Sequence, residues 1–167
     1  MTKTKPKILY CDSKGDSRFS PFFTYLEAFG VRDSIEEFYQ KSKVFVKDDE
    51  LVSPRNWQEA KHYQKPVKFG GAGLPRWPEF VLPNGVYCPN RFHVFGWYAS
   101  LWLKYLDQHP ELVDHARGFD EYVDRFKGGF PLCQADCVRL YVKAGREALL
   151  EHCVDFFKWV RENCPIT

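Results

Sequence analysis

A run of helix and strand breakers divides this chain. Pro66, Gly70, Gly71, Gly73, Pro75, Pro78, Pro83, Gly85 and Pro89 all fall between Pro66 and Arg91. Proline lacks the amide hydrogen that helices and sheet ladders use, and glycine loses the most backbone entropy on ordering. Long helices are therefore confined to the two flanks. The segment itself reads as loop with short strand-like pieces at Val67 to Phe69 and Gly85 to Tyr87, a place where functional groups are often displayed.

Upstream, Lys7 to Tyr10 has the pattern of a short strand, followed by a turn-rich stretch from Asp12 to Ser20. Ser34 with Glu37 three residues on is a capping-box signature. Ile35, Phe38, Tyr39, Ser42, Phe45 and Val46 then share one helical face, while Glu36, Gln40 and Lys43 form a polar stripe on its flank. Glu37 and Lys41 point elsewhere. Ser53-Pro54 has helix-start chemistry, so Arg55 to Tyr63 is expected to be a short helix. Downstream, helical patterns run near Val94 to Gln108, Glu111 to Ala116, Phe119 to Phe126, Cys133 to Ala144 and Arg146 to Arg161. The expected class is α+β: a single compact domain over residues 1–167, predominantly helical, with a small sheet and the Pro/Gly-rich central loop region.

Charge narrows the range of partners. Lys+Arg 24 against Asp+Glu 22 leaves +2, so no overall field advertises nucleic acid or an anionic membrane. No apolar run reaches membrane-spanning length and the first residues lack a signal-peptide pattern, so a cytoplasmic protein with no membrane partner is expected. The six cysteines are dispersed and read as free thiols. Cys133 and Cys137, with His93 or His152, offer a weak metal pattern because no second pair has zinc-site spacing. No metal and no cofactor are expected. Gly70 to Gly73 resembles a phosphate loop in glycine content alone.

Aromatic residues reach 17% of the chain, which first of all implies a dense core. Basic residues also interleave with rings at Lys61, His62, Tyr63, Lys65, Lys68, Phe69, Arg76 and Trp77, a chemistry that grips nucleotides, with a cation on phosphate and a ring on the base. An ordinary solvated face has the same composition.

The most specific string is Ser34-Ile35-Glu36-Glu37-Phe38-Tyr39-Gln40-Lys41-Ser42-Lys43. Read as Ser-(Val/Ile)-Glu-x-x-(Tyr/Phe)-Gln-x-x-Lys, it resembles the signature helix of the NADAR (YbiA-like) family. Glu59-Ala60-Lys61, then Val67 and Trp77, are similar to that family's Ala-Lys segment and following Trp. Leu103-Lys104-Tyr105 with Gln108 and Pro110-Glu111-Leu112 is similar to its Lys-Phe helix, and Phe19-Ser20-Pro21-Phe22 to its Leu-Ser-Asn-Phe segment. The resemblance spans Phe19 to Leu112. Pro21 replaces the family's Asn, Gln64-Lys65 replaces Gly-Arg, and Phe126 to Asp136 occupies the place of its late Trp-Gly and Asn-x-Leu-Gly segment.

The resemblance implies an N-glycosidase, a hydrolase or glycosylase of the ribose C1–N bond. Its substrate would be a nucleotide-like small molecule or modified nucleobase, such as an ADP-ribosylated nucleobase or a ribosylamino-pyrimidine phosphate. Cleavage develops positive charge on the sugar, which a carboxylate beside C1 stabilises, and a second group protonates the leaving nitrogen. Glu36 is the first candidate. Gln40 and Lys43 would hold sugar hydroxyls and a phosphate, Lys61 a phosphate, and Tyr39 or Trp77 the base, with Ser20 and Phe22 completing the substrate-binding set. Asp120, Asp124 and Asp136 are candidates for the partner acid, with Asp124 and Asp136 foremost.

Two alternatives stay open. A DNA glycosylase would take a flipped base into an aromatic pocket, with DNA as partner. A non-catalytic nucleotide-binding or interaction module would follow if the replaced late segment took catalytic groups with it. Glu36, Gln40 and Lys43 equally describe a solvated helix flank, and Tyr39 and Trp77 equally describe core rings.

Overall fold

The computed structural model describes residues 5–73, 79–89, 92–126 and 133–164. Its strands are β1 (Ile8–Tyr10), β2 (Tyr25–Ala28), β3 (Val31–Ser34), β4 (Phe45–Lys47), β5 (Glu50–Val52), β6 (Phe80–Val81), β7 (Tyr87–Cys88) and β8 (Glu121–Val123). Its helices are α1 (Ile35–Lys41), α2 (Trp57–Tyr63), α3 (Phe92–Asp107), α4 (Pro110–Arg117), α5 (Gln134–Arg139), α6 (Arg146–Glu151) and α7 (Val154–Asn163). Helices dominate and the strands pair only two at a time, which is an α+β arrangement. None of the helices among the described residues is long and apolar enough to cross a membrane.

Helix α3 is the axis of the core. Trp97, Leu101, Trp102 and Leu106 on it are at most 1% exposed, and α1, α5, α6 and α7 pack around it. The core cluster runs unbroken from Leu9 on β1 through Phe38 on α1 to Phe156 on α7.

Three strand pairs are antiparallel hairpins or ladders, and two hairpins turn on residues that sequence patterning passes over. β2 and β3 are joined by Phe29 and Gly30 with φ of 54° and 76°, and β4 and β5 by Asp48 and Asp49 with φ of 51° and 65°. Positive φ at both central residues matches the right-handed twist of the flanking strands. The fourth pair, β1 with β8, is parallel, with Leu9 opposite Tyr122.

Several sequence expectations are corrected. Phe119 to Phe126 is not a helix: Asp120 N and Glu121 N donate to Lys7 O at 2.7 and 3.2 Å, which starts the parallel ladder with β1. Tyr122 turns inward and donates to Ala116 O at 2.5 Å. The first helix stops at Lys41, where the Ser42 hydroxyl donates to Tyr39 O at 2.5 Å, so Phe45 and Val46 are strand residues. α2 starts at Trp57 because Asn56, not Ser53, accepts from Glu59 N at 2.8 Å. Val67–Phe69 is a 3-10 turn, and the strand expected at Gly85 to Tyr87 is Tyr87–Cys88. The Cys133 to Ala144 pattern is α5 followed by a π-helical stretch at Leu140–Ala144, and the last expected helix is broken into α6 and α7.

Candidate functional site

The placement of Glu36 begins with backbone bonding at the start of α1. Ser34 Oγ accepts from Glu37 N at 3.1 Å, the cap that Ser-x-x-Glu predicts. The other early amides are satisfied from outside the helix: Ile35 N donates to Thr24 O and Glu36 N to Pro21 O, both at 2.9 Å. The Ser20–Thr24 segment is thereby docked on the helix terminus that carries Glu36. Ser20 Oγ is buried there with no hydrogen-bond partner among the described residues.

Glu36 and Glu37 diverge. Glu37 Oε2 accepts from Trp57 N at 3.1 Å, which ties α1 to α2. Glu36 is half-buried on the other side, where its Oε1 accepts from Gln40 Nε2 at 2.7 Å one turn along. Its Oε2 has no partner among the described residues. Burial raises the Glu36 carboxyl above the usual carboxylate range, against the Gln40 hydrogen bond and the Lys43 charge that lower it, with Glu37 and Asp124 adding to the rise.

Lys43 belongs to the same group by a different route. It lies beyond the end of α1, 9% exposed, and bridges to Phe80. Its Nζ sits 5.2 Å from the centroid of the Tyr39 ring and makes no ion pair or hydrogen bond among the described residues. Burial lowers its pKa, opposed by the charge of Glu36. Tyr39 is edge-on to Tyr98 at 5.7 Å, and burial with the neighbouring Glu36 charge pushes its phenol up to about 12.

The parallel pair carries the second carboxylate that acts on Glu36. Ligands of parallel strands sit beyond the carboxyl ends, where the chain leaves the ladder. Cys11 and Asp12 leave β1 there, beside Asp124 and Arg125 leaving β8, and Cys11 N donates to Val123 O at 2.8 Å. Asp12 and Arg125 form a bidentate pair at 2.7 and 2.9 Å, with the guanidinium 4.4 Å from the Tyr10 ring centroid. Asp124 is half-buried and its charge reaches Glu36.

The structure therefore gathers Glu36, Gln40, Tyr39, Lys43 and Asp124, with Ser20 docked on the helix terminus that carries Glu36. Phe22, 41% exposed, is instead edge-on to Trp57 at 5.9 Å, with Lys61 exposed one turn further along α2. Asp136 is engaged in capping α5: its Oδ2 accepts from Cys133 N at 3.1 Å and its Oδ1 pairs with Arg139 at 3.2 Å. Asp120 lies at the amino end of β8, accepting from Lys7 N at 2.7 Å, on the opposite end of the strand from Asp124. Trp77 lies outside the described residues. Among those residues no three His, Cys, Asp or Glu side chains converge as a metal site.

Sequence reasoning missed Tyr98, Gln134 and Cys11. Gln134 Nε2 donates to Cys11 O at 2.8 Å and its Oε1 accepts from the Tyr98 hydroxyl at 3.5 Å, linking α5, β1 and α3 behind the site. Residues so far apart in sequence leave no spacing signal. No family model matches the chain, and no curated protein matches it.

Proposed function

We propose that this protein is an N-glycosidase that hydrolyses the ribose C1–N bond of a nucleotide-like substrate, with Glu36 as the carboxylate beside the anomeric carbon. The observation that carries this reading is the state of Glu36: half-buried, fixed through one oxygen by Gln40, with its other oxygen unbonded among the described residues. The resemblance of the Ser34 to Lys43 helix to the NADAR signature supports the same assignment.

The chemistry follows from charge. As the C1–N bond breaks, its electron pair leaves on nitrogen and positive charge develops at C1 and the ring oxygen. A fixed carboxylate in a partly desolvated site stabilises that charge more than water does. Water then attacks C1 and gives up a proton, which Asp124, the second carboxylate at hand, takes and passes to the departing nitrogen. Gln40 is suited to a sugar hydroxyl, and Lys43 to a phosphate. Tyr39, whose ring lies 5.2 Å from Lys43 Nζ and whose phenol feels the Glu36 charge, is the ring at hand for a base.

The test is release of free base. Purified protein and the Glu36→Gln variant are incubated with an ADP-ribosylated nucleobase, a ribosylamino-pyrimidine phosphate and DNA carrying a modified base, and the products are read by mass spectrometry. Base release from a small substrate, lost in Glu36→Gln with ligand binding retained, supports the reading. Release from DNA alone favours the DNA glycosylase. No release from any substrate leaves a non-catalytic nucleotide-binding module.

A further inference from the structure

Helix α3 presents two faces. On one, Tyr98 packs edge-on to Tyr39, and Tyr105, with Trp102 packed on it, donates to Arg18 O, whereas Trp97, Leu101 and Lys104 recur at helical spacing on another. That face floors an open-mouthed cavity of about 400 Å³, walled by Phe29 from the β2–β3 turn and by Phe156 and Phe157 from α7. Such a volume is at the small end of ligand pockets.

Its lining is asymmetric. The interior is apolar and aromatic, with Trp97, Leu101, Phe156 and Phe157 among the side chains that line it. The mouth is charged. Asp107 accepts from Arg146 through both carboxylate oxygens at 2.9 Å, and from the Tyr141 hydroxyl at 2.6 Å, so its charge is neutralised locally. Lys104 beside it is exposed and makes no ion pair among the described residues. The mouth thus carries one uncompensated positive charge over an apolar chamber.

We propose that this cavity is a second binding site, separate from the Glu36 site, for a small aromatic monocarboxylate whose ring occupies the chamber and whose carboxylate pairs with Lys104. An apolar body alone would use the chamber and leave the cation unmatched. A polyphosphate would match the cation and leave the aromatic interior empty. A liquid water takes about 30 Å³, so a cavity of about 400 Å³ holds a body of roughly 13 heavy atoms, the size of a fused bicyclic ring with its carboxylate.

The experiment titrates the full chain with 2-naphthoate and with its neutral analogue 2-naphthalenemethanol. Binding is read by calorimetry and by the tryptophan indole resonances in ¹H–¹⁵N spectra. The expected result is saturable binding with naphthoate at least about tenfold tighter, the scale of one charge-assisted contact of ~1.4 kcal/mol, and a shifted Trp97 indole resonance, assigned with Trp97→Phe. Lys104→Gln should abolish the preference for the acid while leaving the neutral analogue unchanged. Leu150→Trp, at a half-exposed lining position, should fill the chamber and block both probes; Val160→Trp does the same from α7 should the first variant unfold. Absence of saturable binding, equal affinity for the two probes, a preference that survives Lys104→Gln, or binding that survives the filled chamber each overturns the proposal.

Discussion

Gln40 donates to Glu36 at 2.7 Å across one turn of α1, and this bond holds a carboxylate that burial has made reluctant to ionise. A group in that state costs folding stability when charged. Below the ordinary carboxylate pKa of about 4.3 both folded and unfolded chains are protonated at Glu36 and nothing is lost. As pH rises through that value the unfolded chain ionises first, and above the raised folded value the loss is complete.

Glu36→Gln keeps the shape and an acceptor for Gln40 but removes the charge. The variant should therefore unfold at higher temperature than the parent near pH 7.5, by about 2–4 °C for a gain on the order of 1 kcal/mol. Near pH 4 the two should coincide. Thermal unfolding at the two pH values, set beside base release, checks both halves: turnover falls by orders of magnitude while stability rises. A variant less stable at pH 7.5 would show that the Glu36 charge serves the fold.

Asp124 adds its negative charge to the environment of Glu36 from the end of β8. Asp124→Asn removes that charge without changing volume. The acid limb of the activity profile, set on the proposed mechanism by ionisation of Glu36, should move to lower pH, because removing a neighbouring negative charge makes Glu36 easier to ionise. If Asp124 also takes the proton from water, turnover on the plateau falls about 10²–10⁴-fold. An unmoved acid limb would separate the two carboxylates.

Asp12 presents the opposite sign. The Arg125 hydrogen bonds outweigh burial and hold its carboxyl down at about 2, and its side chain is only 3% exposed. Stabilisation of this kind is present above the unfolded value near 3.9 and is lost as pH falls toward the folded one. Asp12→Asn should cost about 2 kcal/mol in urea denaturation at pH 6, since it leaves the guanidinium with a poorer partner beside a buried polar group. The gap between variant and parent should narrow by pH 3. A constant gap would assign the loss to packing.

How far the sequence revealed this arrangement depends on where each instruction is written. The cap at Ser34, the stripe from Glu36 to Gln40 and the divergence of Glu37 are local, and local rules found them. Strand β8 was hidden because three residues hold neither period long enough to distinguish helix from strand, and its pairing with β1 is set by residues more than a hundred positions away. The turns at Phe29-Gly30 and Asp48-Asp49 were hidden because a ring or a carboxylate in left-handed backbone is uncommon. Phe29 tolerates it while its ring packs 5.8 Å from Trp97. The partnership of Glu36 with Asp124 therefore had to come from the tertiary structure, although both residues were candidates by chemistry.

Gly96 offers a test of the packing on which both faces of α3 depend. Glycine inside a helix ordinarily disfavours it by about 1 kcal/mol relative to alanine, so replacement usually stabilises. Here a Cβ at position 96 would lie 2.6 Å from Phe156 Cβ, closer than real contacts allow, and 3.0 Å from His152 O, tighter than most of them. Neither neighbour can give way alone, because one is backbone and the other belongs to a ring 2% exposed and packed 5.8 Å from Trp97. Helix α7 would have to move outward, at an overpacking cost of about 1–3 kcal/mol that exceeds the propensity gain over most of its range. Gly96→Ala should therefore lower the urea midpoint with an unchanged slope, and naphthoate affinity should change with it, since Phe156 and Phe157 wall the cavity. A Gly96→Ala protein more stable than the parent would mean that α3 and α7 do not approach this closely.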